Sequence, residues 1–451
     1  MTLSPKRTDP ASIRTADPIE LSTRIIDAGG GDVGDPGGEP TNRTSNELTE
    51  IDDGLSIVES FSHVYTLRTD DGLVCVDASS AFTGAKVVES LRAWDTGRIS
   101  DLVYTHGHVD HVGGSGVIAA DADARGHARP EVIGHDAVVD RFHRYRDTDG
   151  YNNAINLRQF GGVSARSGLA IAAADRPFLP ADTLWPTRTY SDRTTLVVGG
   201  TELQLRHGRG ETDDHTWAWV PSRRALLVGD FVTWVFPNAG NPQKVQRYPL
   251  EWARALREMQ AHDAELLLPA HGLPVRGVER VRRVLGDLAS VLEGLVADTL
   301  ERMNAGRTID EIIHEVTVPA EMLERPWLRP VYDEPEFVVR NIWRLYGGWW
   351  GQDPAELKPA PRPALAAELT GLAGGVEPLV ARASELAEAG DLRLACHLIE
   401  LAVAAEPEHR GAHTARADIY QRRRDTELSL MSKGVFAAAA RDSASVLGAD
   451  G

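Results

Sequence analysis

Cysteine is nearly missing: Cys75 and Cys396 are the two in 451 residues. That excludes a disulfide framework and a four-thiolate zinc site. Positive charge is also short, with 48 Lys and Arg against 66 Asp and Glu, for a net charge of −18. Nucleic acid and anionic membranes reward the opposite sign, so no nucleic-acid partner is expected. The mean hydropathy is −0.27, and no apolar run reaches the length of about 18 residues that a membrane span needs. The opening residues, Met1 to Ala11, lack the apolar stretch of a secretory signal, which makes a cytoplasmic location the expectation. No Gly-x-Ser-x-Gly elbow marks a serine nucleophile. Histidine is what the chain has in quantity: 15 residues, several clustered with carboxylates.

Residues 1–45 are rich in Gly, Pro, Asp, Thr and Ser and have few apolar groups to offset ordering entropy, so a flexible N-terminal segment is expected. From Leu48 the pattern changes. Leu55 to Leu67 and Leu73 to Asp77 predict an antiparallel hairpin around Asp70-Asp71-Gly72. A helix comes next over Ala85–Trp94, then a short apolar strand over Ile99–Tyr104. A second β-rich block spans 194–228, closed by a helix at 250–262 and a strand at 266–268. Beyond that the strand signals stop. Val278 to Asn304 predicts one long amphipathic helix, and 308–316 another. Residues 326–350 are aromatic-rich, which suits a core or an interface between subunits. Pro359 to Pro363 is a break, and helices are expected over 376–389, 392–405 and 412–423. The chain thus divides into a mixed α/β domain over 46–277, an all-helical region over 278–430 and a tail over 431–451.

The chemistry concentrates in Thr105-His106-Gly107-His108-Val109-Asp110-His111-Val112-Gly113-Gly114, directly after the apolar strand. In an extended loop, residues two apart face the same side, so His106 and His108 can hold one cation while Asp110 and His111 turn toward a second. Imidazole with carboxylate suits zinc or another borderline divalent ion better than magnesium or calcium. Asp77, ending the Leu73-to-Val76 strand, is either a brace for this loop or a simple turn residue. Cys75 and Cys396 read as small packing residues.

This motif resembles the hallmark His-x-His-x-Asp-His of the metallo-β-lactamase superfamily. The resemblance implies an αββα sandwich with later ligands at strand ends, and three segments match: Gly210-Glu211-Thr212, Leu226 to Asp230, and Pro269-Ala270-His271-Gly272. It implies two Zn2+ per chain, one on His106, His108 and Glu211, the other on Asp110, His111 and His271, with Asp230 spanning both. His215 is a second candidate for the third ligand; the spacing to Asp230 and the preceding glycine favour Glu211. A carboxylate at that place is similar to the alkyl sulfatase branch. The stretch 278–363, with Tyr346 to Pro359, resembles the helical dimerisation region of those enzymes and implies a homodimer.

The activity implied by the resemblance is hydrolysis of a small-molecule ester, above all an alkyl sulfate, by a metal-bound hydroxide that Asp110 and Asp230 orient. The anion would be met by local positive charge, from Lys244 and Arg247 and from arginines such as Arg141, with Tyr151-Asn152-Asn153 as a substrate loop and His215 beside it. Hydrolysis of a phosphodiester, lactone, thioester or carboxylic ester is the alternative. An iron redox protein and a noncatalytic scaffold are further ones.

Overall fold

The run Leu73-Val74-Cys75-Val76 shows how this chain makes a sandwich. Successive strand side chains point to opposite faces, and here both faces are apolar. Val74 and Val76 join one buried cluster, Leu73 and Cys75 another. A strand buried on both sides must lie between two layers.

The computed structural model describes residues 16–28, 41–167 (backbone alone for 161–167) and 176–448. These residues form two compact units, one of 16–28, 41–153, 176–307 and 311–346, the other of 154–167, 308–310 and 347–448.

In the first unit a seven-stranded sheet runs in sequence order: β1 (Leu48–Asp52), β2 (Leu55–Val58), β3 (Val64–Thr69), β4 (Gly72–Val76), β5 (Ile99–Val103), β6 (Glu131–His135) and β7 (Arg188–Tyr190). Pairing is antiparallel through β4 and parallel from β4 to β7. A six-stranded sheet holds β8 (Arg193–Val198), β9 (Thr201–His207), β10 (Thr216–Val220), β11 (Ala225–Gly229), β12 (Leu266–Pro269) and β13 (Val275–Arg276). Its pairs are antiparallel except β11 with β12. Between the sheets, Ile57, Val74 and Val103 meet Leu205, Leu227 and Leu268. Outside the first sheet, Cys75 and Leu102 pack on Val87 and Leu91 of the Gly84–Trp94 helix and Ile118 of the Ser115–Ala124 helix. The Pro249–Gln260 helix, burying Trp252, Leu256 and Met259, packs against the Val278–Asn304 helix. The architecture is the expected αββα sandwich.

The second unit is helical: Arg362–Ala373, Val376–Glu388, Leu392–Ala405, Arg410–Thr426 and Leu430–Val446. Leu379, Ala383, Ala395, Ile399, Ala412 and Ile419 form its core. Among the described residues no single helix is long and apolar enough to cross a membrane.

Three stretches depart from expectation. Pro18–Asp27, expected within a flexible segment, is a helix. Asp17 caps it by accepting from the amides of Ile19 and Glu20, and Leu21, Ile25 and Ile26 are buried along one face. Residues 1–15 and 29–40 lie outside the described residues. The expected tail from 431 is also a helix, Leu430–Val446, capped by Ser429. Its small residues permit close packing: a Cβ on Gly434 would lie 1.7 Å from the Gln159 carbonyl oxygen. Tyr151-Asn152-Asn153 is helix rather than loop, within Asp149–Ser167.

Candidate metal centre

β4 and β5 lie side by side in parallel, and both stop beside the histidine motif. Asp77 comes directly after β4 with φ +64°, a backbone that aspartate tolerates better than most residues. One of its oxygens accepts the Thr105 amide at 2.7 Å; the other accepts the Thr105 hydroxyl at 2.7 Å and faces His111 Nδ1 at 2.8 Å. Ser62 Oγ is 3.0 Å from the same imidazole nitrogen. Asp77 is therefore a brace: by occupying His111 Nδ1 it turns Nε2 into the cage.

A second support grips the loop from the other sheet. The Gly107 amide donates to Asp214 Oδ2 at 3.0 Å, and Arg141 Nε donates to that oxygen at 2.7 Å. A Cβ on Gly107 would sit 2.8 Å from Arg141 Cδ, so only glycine fits. Arg141, expected among the cations that meet an anion, is buried in this ion pair instead. The last histidine is held separately: His63 Nε2 contacts the Gly272 carbonyl at 2.6 Å, and the Phe61 ring edges His271 at 5.8 Å.

Seven donors converge in two groups, His106, His108, Glu211 and Asp230, and Asp110, His111 and His271. Within each group the facing atoms all lie within 4.8 Å of one another. His106 Nε2 and His108 Nδ1 are 2.9 Å apart. Asp110 Oδ2 lies 3.3 Å from His271 Nε2 and 3.6 Å from His111 Nε2. Asp230 joins the groups: Oδ2 is 3.8 Å from His106 Nε2, while Oδ1 is 3.4 Å from His111 Nε2 and 3.6 Å from His271 Nε2. His111 Nε2 and Asp230 Oδ1 are buried without a hydrogen-bond partner. Buried carboxylates and imidazoles crowded this closely, with such atoms orphaned at their centre, suit a divalent cation.

Without cations, protons must offset the charge. Burial disfavours the imidazolium at His111, yet Asp230, Asp110 and Asp77 raise its pKa well above the usual histidine value. His271 is raised against burial by Asp230 and Asp110. Burial pushes Glu211 up to about 8, although Arg247 opposes the shift. Burial, then Arg141, drive His108 well below its ordinary value. His106 is driven down likewise, by burial and then His111.

The expected substrate groups go to different places. His215 sits beneath the cage, its ring stacked on Phe231 at 4.3 Å and its Nε2 accepting the Asp230 amide at 3.1 Å. Burial lowers its pKa to about 3, which keeps it neutral. Gly229, at φ +51°, makes this possible, since a Cβ there would lie 2.6 Å from that same nitrogen. His215 is in neither donor group, whereas Glu211 is. Arg247 is buried with Nη1 2.8 Å from Glu211 Oε1. Lys244 is half-buried, its Nζ 5.9 Å from the Phe178 ring; burial, then Arg247, bring its pKa to about 7. Tyr151 is 64% exposed, and Asn152 donates to the Thr148 carbonyl at 3.0 Å.

Several neighbours carry no sequence motif. Asn238 Nδ2 donates to Glu211 Oε1, and Tyr332 lies near enough to Glu211 to feel its charge. Arg141 and Asp214 stand 73 residues apart. In the sequence, the polar run Asp213-Asp214-His215 is the one mark of that pair.

Residues 57–271 match the metallo-beta-lactamase superfamily, and residues 308–445 match the alkyl sulfatase dimerisation family. A linear primary-alkylsulfatase of Pseudomonas sp. is 26% identical over 369 residues, which cover 79% of this chain and 69% of that protein. An alkyl/aryl-sulfatase of Saccharomyces cerevisiae is 25% identical over 378 residues, covering 79% of this chain and 57% of that one. The solved structure of a stereoselective inverting sec-alkylsulfatase from Pseudomonas sp. superposes with a TM-score of 0.76 at 22% identity, covering 88% of this chain and 66% of that one. The chain thus spans somewhat over half to about two thirds of the length of these proteins. With the sandwich, the donor cage and the helical region in this order, residues 57–271 belong to the metallo-β-lactamase superfamily and residues 308–445 to the alkyl sulfatase dimerisation family, an alkyl sulfatase-like combination.

Proposed function

We propose that the chain is a binuclear zinc hydrolase of alkyl sulfate esters. The observation that carries this reading is the convergence of seven donors with Asp230 between the groups and a glutamate, Glu211, among them. The matched relatives named as alkylsulfatases support the sulfate ester as substrate. His106, His108, His111 and His271 are imidazoles, a donor set that favours zinc over harder cations. Two ions held in this cage would supply Lewis acidity and lower the pKa of water.

The remaining work falls to side chains. His106, His108 and Glu211 would hold one ion and Asp110, His111 and His271 the other, with Asp230 placed between the two donor groups. Asp110 and Asp230 accept hydrogen bonds from the attacking water and orient it. Lys244 meets the sulfate oxygens, and Tyr151 and Asn152 are further substrate contacts. Arg247 and His215 serve indirectly, by holding Glu211 and Asp230. Water adds across the ester, and an alcohol and sulfate leave. The ion-holding domain is assigned to 46–277 and the helical dimerisation domain to 278–430, with a homodimer as the assembly.

A substrate panel tests this. Purified protein loaded with zinc is given an alkyl sulfate, a nitrophenyl phosphodiester and a nitrophenyl acyl ester, and inorganic sulfate and nitrophenol are measured. Sulfate release that a chelator abolishes and zinc restores is expected. Turnover of the acyl ester alone would reject the sulfatase assignment.

A further inference from the structure

The stretch of chain that holds Glu211 is itself contacted from outside the 57–271 match. Its carboxylate is gripped by Asn238 and Arg247, both on the stretch between β11 and the Pro249–Gln260 helix. That stretch contains no regular helix or strand, so its shape must be imposed from outside. Two buried residues supply contacts to it. Asn341, on the Pro335–Gly347 helix, clasps the Arg247 backbone on both sides: its Nδ2 donates to the Arg247 carbonyl at 2.9 Å and its Oδ1 accepts the Arg247 amide at 3.4 Å. Asp333, just before that helix, accepts the Gly240 amide at 2.6 Å and the Glu334 amide at 2.8 Å. The Phe236 amide donates to the Arg329 carbonyl at 2.9 Å. Contact at Gly240 is so close that a Cβ there would lie 2.2 Å from the Phe337 carbonyl carbon.

We propose that Asn341 and Asp333 are positioning residues for the cation held by His106, His108 and Glu211, Asn341 acting through Arg247 and Asp333 through the Gly240 turn and Asn238. The inference rests on the metal reading of the cage. Its physical core is rigidity: a buried glutamate ligates well only if its partners keep it aimed, and those partners lie on irregular backbone. The segment matching a dimerisation family thereby becomes part of the metal centre.

Zinc affinity tests it, read by competition with a chromophoric chelator, with the thermal midpoint measured on the same samples. Wild type should show two equivalents. Asn341→Ala and Asp333→Asn should each weaken one equivalent about 10–100-fold, the range for partners that support a ligand, and leave the other unchanged. Combined with Arg247→Ala, the Asn341→Ala change should add nothing further to the loss of affinity, because its route is already cut. Arg340→Ala, on the exposed side of the same helix, should change neither equivalent. If Asn341→Ala fails to fold, Asp333→Asn tests the same claim through the Asn238 route. Unchanged zinc affinities with a lowered thermal midpoint, or equal weakening of both equivalents, would overturn the assignment and leave the cage intact. A wild-type protein that binds no zinc would remove the metal reading itself.

Discussion

At the residue scale, Lys244 and Asp230 do opposite electrostatic work. Lys244 is charged below its pKa of about 7 and neutral above it. If it meets an anionic ester, KM should rise as pH climbs from about 6 to about 8, and Lys244→Met should raise KM at low pH about 10-fold, the size of one charge-assisted hydrogen bond. Lys244→Arg keeps its charge and should flatten the profile; steady-state kinetics across that range reads all three. Asp230 faces imidazoles of both donor groups. Asp230→Asn keeps the shape and removes the charge, so zinc per chain, measured by atomic emission, should fall from two to at most one. The histidine motif and the scattered Glu211, Asp230 and His271, which meet in the two donor groups, are legible in the sequence because donors beside strand ends leave short, spaced signatures. Arg141, Asp214, Asp333 and Asn341 are not. A buried ion pair or a backbone clasp is made by tertiary contact, and neither partner is unusual where it stands in the sequence.

At the element scale, legibility tracks the strength of apolar periodicity. Val278–Asn304 is readable residue for residue because Val281, Val284, Leu285, Leu288, Leu292 and Leu295 keep helical spacing. Leu430–Val446 escapes such reading because its buried positions are Met431, Ser432, Gly434, Ala438 and Ser443, mostly too small to register as a stripe. Smallness is what lets it pack. With the Gly434 Cβ position 1.7 Å from the Gln159 carbonyl oxygen, Gly434→Ala should force a backbone shift and cost about 1–3 kcal/mol, as overpacking does. Differential scanning calorimetry should show the loss in the helical unit, with zinc binding kept. The Pro18–Asp27 helix is hidden differently, since its three buried aliphatics lie amid glycine, proline and polar residues whose composition favours disorder.

At the scale of the whole molecule, the sandwich is inferable because both faces of its central strands, such as β4, β5 and β11, are buried, while the assembly rests on a surface. The Arg362–Ala373 helix buries Ala366 and Thr370 on one side. Leu365, Leu369 and Leu372 stand 47%, 38% and 85% exposed, spaced four and three apart along its length. A leucine row of that spacing forms one stripe, and its exposure in a chain of net charge −18 makes a covering partner the economical solution. The match of 308–445 to a dimerisation family points to a second copy of this chain. A two-fold contact would set the stripe against its own copy, with Leu372 worth about 1.5–3 kcal/mol when fully covered and Leu365 and Leu369, already half covered, less. Leu369→Glu with Leu372→Glu would place like charges against one another across that axis. Sedimentation equilibrium is expected to find dimers for the parent protein and monomers for this variant, with zinc content unchanged because the donors lie on the sandwich. Dimers that persist in the doubly charged variant would put the interface on another face of the helical unit.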